Sequence, residues 1–250
     1  MLFVVYALNI MENTGIRINK YIADAGICSR RAADKLVEEG VVEIDGVKAT
    51  AGSRVFEDSI VTVNGEAVGF ANKKVYFAFN KPAGIVCTAE KKEKNNIIDF
   101  INYPVRLLYA GRLDKESEGL IILTNDGDLI NSMMRARYGH EKEYIVTVDR
   151  DINKDFIYSL RNGVYLEELE VTTRKCRASL IDNRSFRIIL TQGLNRQIRR
   201  MCEAFNVNVV ALKRVRVMNI ELGDLAPGNM RTISSEEMKE LRKKLKEKNE

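Results

Sequence analysis

Residues 111–127, GRLDKESEGLIILTNDG, place an arginine and an aspartate in a short polar segment directly before an uninterrupted apolar run. The apolar residues 120–124 predict a buried strand, and the Asn-Asp-Gly that follows predicts the turn that ends it. Residues two apart in extended backbone point to the same side, so Arg112 and Asp114 can face one ligand. From the spacing alone, a surface ion pair in a strand connection is the simpler interpretation.

Three other segments carry polar residues where predicted elements begin or end. The first, at residues 80–84, is Asn-Lys-Pro-Ala-Gly, a strand followed by turn chemistry that includes Lys81. The second is an alternating strand over residues 141–148, with Tyr144 near its start. Spacing alone would also fit a core tyrosine and a purely structural turn at Lys81.

The third segment, residues 192–202, predicts a strand-to-helix junction that is rich in arginine. On a helix over residues 194–205, Arg196, Arg199 and Arg200 would share one face, because residues three and four apart are neighbours. The other side would pack inward through Ile198, Met201, Cys202 and Phe205. Three arginines on one stripe repel each other unless an anion neutralises them, and a carboxylate or an RNA phosphate is the natural partner.

In chain order, these segments resemble the motifs of RNA pseudouridine synthases, in the branch that contains RsuA, RluB, RluE and RluF. The matching motifs are the Arg-x-Asp loop, Lys-Pro-x-Gly, Lys-x-Tyr and Gly-x-x-x-Gln-Ile-Arg. The wording of residues 139–144 and 193–202 is most similar to the RluF subgroup. The resemblance implies isomerisation of uridine to pseudouridine in 23S rRNA, with a tRNA uridine as a second candidate target.

The resemblance also implies a role for each matched residue. Asp114 would be the catalytic carboxylate, acting in its ionised form, and Arg199 would be its partner, because a nearby cation favours that form against the effect of burial. Tyr144 would stack on a base extruded from its helix, and its hydroxyl could assist removal of a proton. The remaining matched cations would bind substrate: Arg112, Lys81, Arg196 and Arg200.

Residues 15–69 predict a small RNA-binding domain. Two short helices, the second capped by Ser29, precede hairpin turns at Asp45-Gly46 and Asn64-Gly65. The segment resembles the S-four-type RNA-binding domain, which holds structured RNA by backbone and shape. The basic residues around the two helices predict a phosphate-binding face: Arg17, Lys20, Arg30, Arg31 and Lys35.

The rest of the chain divides at a short polar linker, residues 70–74, before a catalytic domain over residues 75–250. There strands outnumber helices without alternating strictly with them, which predicts an α+β domain with a largely antiparallel sheet. The apolar stretch 1–10 is too short to span a bilayer. We expect residues 1–14 to be a leader without stable structure, with natural translation starting at Met11.

Composition narrows the partners. The formal net charge of +5 favours a polyanion. Four scattered cysteines and one histidine predict no metal site, and such cysteines are typical of a reducing cytoplasm, where we expect them to be buried as small apolar residues. Isomerisation of uridine needs no redox cofactor, so we expect no cofactor, no membrane partner and a monomer. The alternatives are a non-catalytic RNA-binding or ribosome-assembly protein and, with less support, an RNA methyltransferase.

Overall fold

The computed structural model describes residues 15–69, 73–134 and 139–247. The chain divides into two compact units, Met1–Lys74 with Pro104–Arg106 and Val75–Tyr103 with Leu107–Glu250. The expected leader, residues 1–14, lies outside the described residues, as do residues 70–72 of the expected linker. None of the described helices is long and apolar enough to cross a membrane.

The described residues of the small unit form two helices and six short strands. Ser29 caps the second helix as predicted, since its side chain accepts a hydrogen bond from the Ala32 amide at 3.2 Å. The two predicted hairpin turns are confirmed, and all four of their central residues have positive φ. The elements are β1 (Ile16–Arg17), α1 (Ile18–Asp24), α2 (Arg30–Glu38), β2 (Val42–Ile44), β3 (Val47–Lys48), β4 (Arg54–Val55), β5 (Val61–Val63) and β6 (Glu66–Val68).

The elements of the large unit are β7 (Tyr76–Lys81), α3 (Ile97–Ile101), β8 (Leu108–Ala110), β9 (Glu118–Thr124), α4 (Gly127–Met134), β10 (Lys142–Val148), α5 (Lys154–Arg161), β11 (Tyr165–Leu166), a 3₁₀ turn (Glu167–Leu169), β12 (Val171–Thr172), β13 (Arg177–Asp182), β14 (Ser185–Leu190), α6 (Gln197–Glu203), β15 (Val209–Val217), β16 (Ile220–Glu221), β17 (Met230–Thr232) and α7 (Ser235–Glu247). The unit is built around a sheet of nine described strands in the order β13-β14-β10-β15-β9-β7-β17, with β16 beside β15 and β8 beside β9.

Strand pairing in this sheet is antiparallel except between β9 and β15, which run parallel. The predicted α+β class with a largely antiparallel sheet is therefore confirmed. The apolar run 120–124 forms most of β9 and is buried on both faces, as expected for a central strand. Helices α4 and α7 cover one face of the sheet, where Leu129 and Leu241 join its core.

Two sequence expectations differ from the structure. The alternating pattern over residues 215–222 predicts a single strand, but β15 begins at Val209, and the chain turns back at Met218, whose φ is positive, into β16. The helix expected over residues 194–205 spans only Gln197–Glu203, because Arg196 takes the left-handed conformation with φ 50° and so cannot be helical. Of the four cysteines, Cys87 and Cys202 are buried as expected, whereas Cys28 and Cys176 are half-buried.

Candidate active site

A cleft of about 770 Å³ lies within the large unit. Its walls are the loop before β9, the start of β10, the end of β14, the segment leading into α6 and the middle of β15. The lining contains seven cationic side chains but only two carboxylates, Asp114 and Glu116, so the cleft attracts anions. Five predicted site residues line it: Arg112, Asp114, Tyr144, Arg196 and Arg199.

Asp114 and Arg199 meet across the cleft from segments far apart in the sequence. Arg199 Nε lies 3.8 Å from Asp114 Oδ2, so the two charges form an ion pair at a distance too long for a hydrogen bond. The Arg199 side chain is almost fully buried, and its other nitrogens donate to the Val209 carbonyl at 3.0 Å and to Ser117 Oγ at 3.3 Å. Asp114 keeps about a third of its side chain exposed and so remains accessible to a substrate.

The loop that carries Asp114 is held from several directions. The Lys115 carbonyl accepts a hydrogen bond from the Gly84 amide at 2.7 Å, and the Ser117 amide donates to the Asp114 carbonyl at 3.1 Å. Beneath the loop, the Leu113 amide is 3.4 Å from the sulfur of the buried Cys87. Main-chain contacts of this kind fix the position of Asp114 before any substrate arrives.

Lys81 lies beneath this loop instead of in the cleft. Its side chain is fully buried, and Nζ donates to the carbonyls of Pro82 and Ile85, with a longer contact to that of Lys115. Burial lowers the pKa of this ammonium group from its usual value. The expected direct contact between Lys81 and substrate does not agree with this placement, because a group with no exposed surface supports the loop and touches no ligand.

Tyr144 lies in β10 and lines the cleft, with Arg214 of β15 and Ile188 of β14 as its partners across the sheet. Its ring is largely buried, which fits a rigid wall against which a flat base can pack. Within the described ranges, the Tyr144 hydroxyl donates to no protein group. Lys142, two residues earlier on the same face of the strand, also lines the cleft.

The arginines before and in α6 do not form the single stripe that the sequence suggested. Arg196 lines the cleft and pairs with Glu116 at 3.4 Å, whereas Arg200 points away and pairs with Glu168 of the 3₁₀ turn. Arg199 is buried toward Asp114. Each cation therefore has its own carboxylate partner in the chain, and the expected contact of Arg200 with substrate is not supported by its position.

Sequence reasoning missed several residues that shape the cleft. Gln197 is buried and accepts a hydrogen bond from the Leu194 amide at 3.0 Å, which closes the turn before α6. Arg174 adds an exposed cation to the cleft wall. Arg214 lies fully buried in the middle of β15. Its signal in the sequence is a charged residue directly before the alternating segment 215–222.

The basic residues of the small unit are mostly exposed to solvent. Arg17, Arg30, Arg31 and Lys35 are exposed, whereas Lys20 forms an ion pair with Asp24 at 2.7 Å. Four cations of the predicted phosphate-binding face thus have free access to an anion. Across the described residues, no group of histidine, cysteine, aspartate or glutamate side chains could hold a metal ion.

Comparisons with known proteins identify both units. Residues 75–204 match the family model for RNA pseudouridylate synthase, and residues 16–61 match the model for the S4 domain. The first match covers more than half of the chain and contains Asp114, Tyr144 and Arg199. The chain belongs to the RNA pseudouridine synthase family.

Individual members of the family are similar over nearly the whole chain. The dual-specificity RNA pseudouridine synthase RluF of Escherichia coli K12 is 46% identical, over 92% of this chain and 80% of its own length. The ribosomal large subunit pseudouridine synthase B of Bacillus subtilis is 34% identical, over 90% and 95%. A pseudouridylate synthase crystal structure superposes with a TM-score of 0.67 and 26% identity, over 90% of this chain and 99% of the other.

Membership of this synthase family defines the reaction class. The protein is an isomerase that acts on RNA, and the expectation drawn from its four ordered motifs is confirmed at that level. An RNA substrate accounts for the positive cleft, since every nucleotide carries a phosphate.

Proposed function

We propose that this synthase isomerises a uridine of 23S rRNA, with Asp114 as the catalytic carboxylate, Arg199 as its partner and Tyr144 beside the target base. The observation that carries the proposal is the Asp114–Arg199 ion pair in a positive cleft that Tyr144 also lines. Each of these residues occupies the motif position that the family resemblance assigns to it. Arg112 and Arg196, on the same cleft, supply cations for the phosphates around the target nucleotide.

The reaction requires few groups beyond these. The bond between N1 of the base and C1′ of the sugar breaks, the base rotates, and a bond forms between C5 and C1′. The proton on C5 is lost, and N1 gains one, so atoms and electrons balance without a redox partner. An ionised carboxylate can start the sequence as nucleophile or as base. The arginine beside Asp114 is a source of electrostatic support for that charged form.

The names of the relatives support the choice of target. The relative from Bacillus subtilis is described as acting on the large ribosomal subunit, and RluF is described as having dual specificity. The family resemblance makes a tRNA uridine the second candidate target. The exposed cations Arg17, Arg30, Arg31 and Lys35 of the small unit, together with Lys20, are proposed to hold structured RNA through its phosphates. The proposed location is the cytoplasm, which four cysteines without disulfides support, and a monomer is the proposed oligomeric state.

The proposal is tested by mapping pseudouridine in rRNA and tRNA from cells that lack this protein. Carbodiimide labelling and primer extension report each modified position. We expect one site in 23S rRNA to lose its modification, wild-type protein to restore it, and Asp114→Asn to leave it unmodified. Asp224→Asn, an exposed aspartate of the same unit that does not line the cleft, is the matched control and should restore the site.

Other outcomes would change the assignment in different ways. Loss of modification in tRNA alone would move the target to the second candidate. An unchanged map would favour the non-catalytic RNA-binding alternative. Restoration by Asp114→Asn would retain the enzyme and its substrate but remove Asp114 from the mechanism.

A further inference from the structure

Lys142 and Arg214 form a cationic pair in the cleft that the proposed roles leave unused. Both side chains line the cleft, on neighbouring strands β10 and β15. The two carboxylates of the lining are already paired, Asp114 with Arg199 and Glu116 with Arg196. Within the described residues, neither Lys142 nor Arg214 forms an ion pair with any carboxylate of the chain.

Arg214 is also removed from water, so its missing counter-charge destabilises the empty cleft. Arg214 is only 1% exposed; its Nε donates to the Leu120 carbonyl at 2.6 Å and Nη1 to the Arg112 carbonyl at 3.3 Å. Its Nη2 is buried and has no hydrogen-bond partner in the described structure. A buried cation without a counter-ion is unfavourable, because the solvation it has lost is not replaced by an opposite charge. A ligand with negative charge in the cleft would offset that cost.

Lys142 is the member of the pair that can reach a ligand. Its ammonium has three donors, and the contact found for it is a long one, 3.4 Å to the His140 carbonyl. Burial, followed by the charge of Arg214, lowers the pKa of Lys142 to about 8, so it is mostly protonated at neutral pH. No carboxylate raises this pKa, which agrees with the absence of an acidic partner for Lys142 in the described chain.

We propose that Lys142, backed by Arg214, is a binding site for a carbonyl oxygen of the target uracil. The inference rests on the proposed uridine isomerisation. When the N1–C1′ bond breaks, its electron pair leaves with the base and is delocalised onto the carbonyl oxygens O2 and O4. Lys142 lies two residues from Tyr144 on the same face of β10, beside the proposed position of the base. A preorganised cation in a desolvated site stabilises such developing charge more than water does.

Arg214 has a second, positioning role in this arrangement. Its two hydrogen bonds go to the carbonyls of Arg112 and Leu120, which bracket Asp114 in the sequence. Its own backbone pairs with Tyr144 on one side and with Gly119 on the other. One residue thus sets the distance between the strand of Tyr144 and the loop of Asp114, while its charge supports the ammonium of Lys142.

The test is a single-turnover measurement on the RNA fragment that carries the mapped uridine. Lys142→Met should lower the rate constant about 100-fold, the usual cost of removing one such donor, while RNA affinity changes little. Lys142→Arg should recover most of the rate because it retains the charge. Lys239→Met removes the same charge from the exposed side of α7, does not line the cleft and should leave the rate unchanged.

Atomic substitution in the RNA identifies the oxygen. Sulfur in place of O2 or O4 is a weaker acceptor, so one of these RNAs should slow the wild type but add little to the defect of Lys142→Met. The inference is overturned if folded Lys142→Met reacts at the wild-type rate. It is also overturned if the non-additive effect of RNA substitution and Lys142→Met is found only with a phosphorothioate beside the uridine, which would assign Lys142 to a phosphate. A wild-type protein that makes no pseudouridine in this RNA would overturn the proposed function instead.

Discussion

Arg199 is the proposed partner of Asp114, and its replacement should affect both rate and stability. Arg199→Gln removes the cation 3.8 Å from the carboxylate and also the donors to Val209 and Ser117. We expect a loss of about 1–3 kcal/mol in the free energy of unfolding from the unpaired polar groups. The single-turnover rate should fall by more than the fraction of the variant that is unfolded under the assay conditions can explain. Urea unfolding and rate measurements on the same preparations separate the two effects.

A matched control for Arg199→Gln is Arg231→Gln, at the edge strand β17. Arg231 also donates to a backbone carbonyl and pairs with a carboxylate, Glu237, but it does not line the cleft. The Arg231→Gln variant should be less stable than wild type, but its single-turnover rate per folded molecule should be unchanged. Equal losses of rate in both variants would contradict a specific role for Arg199.

The partly buried ammonium group of Lys142 should lower the free energy of unfolding by an amount that depends on pH. Its pKa is lowered to about 8 in the folded protein and is about 10.5 in the unfolded chain, so the unfolded state binds more protons between these values. The destabilisation caused by Lys142 is fully present below pH 8 and disappears as the pH rises toward 10.5. Lys142→Met should therefore be more stable than wild type at pH 7, by about 1–3 kcal/mol.

Urea unfolding at pH 7 and near pH 9.5 measures this difference, and groups common to both proteins cancel. The stability gap between Lys142→Met and wild type should narrow at the higher pH. A gap that is constant with pH would show that Lys142 is not desolvated in the folded state. Lys239→Met, an exposed lysine, should show no gap at either pH.

At the scale of elements, the parallel contact between β9 and β15 depends on Gly119. Its φ is +112°, and a Cβ atom there would lie 2.3 Å from the Arg214 carbonyl oxygen. Gly119→Ala must separate the two strands, so we expect a destabilisation of about 4 kcal/mol or more, or failure to fold. Gly223→Ala, with positive φ but open space around it, should cost only about 1 kcal/mol. Thermal unfolding of both variants tests this, and equal losses would contradict the close approach.

The exposed cations of α2 should contribute RNA affinity but no chemistry. Arg30→Ala with Arg31→Ala removes two phosphate contacts, so the slope of log affinity against log salt should become shallower by roughly 1.4–1.8. Filter binding across a salt titration measures this slope. Lys20→Ala should change it less, because Lys20 is already paired with Asp24. An unchanged slope in the double variant would remove these arginines from the RNA-binding face.

For the whole molecule, the α+β class and the central strand β9 were predictable because local patterns agree with burial. The long apolar run had to be internal, and the caps and turns of the small unit follow from Ser29 and the Asp-Gly and Asn-Gly pairs. The motifs also indicated which residues share the site. Asp114, Tyr144 and Arg199 do line one cleft.

The missed features depend on contacts between distant segments. The role of Arg214 was not predictable, since nothing local shows that carbonyls of Leu120 and Arg112, more than ninety residues away, accept its hydrogen bonds. Arg196 takes a left-handed conformation that shortens α6, and no glycine marked it. Lys81 was read as a ligand contact because a motif shows residue type but not burial.

The most direct test of the account is the single-turnover rate of pseudouridine formation by Asp114→Asn on the mapped RNA. The substitution preserves shape and removes the charge that faces Arg199. We expect the rate to fall by roughly 10⁴-fold, as when an essential catalytic group is removed, with RNA binding near that of Asp224→Asn. Pseudouridine formation by Asp114→Asn at the wild-type rate would contradict the assignment of Asp114 as the catalytic carboxylate.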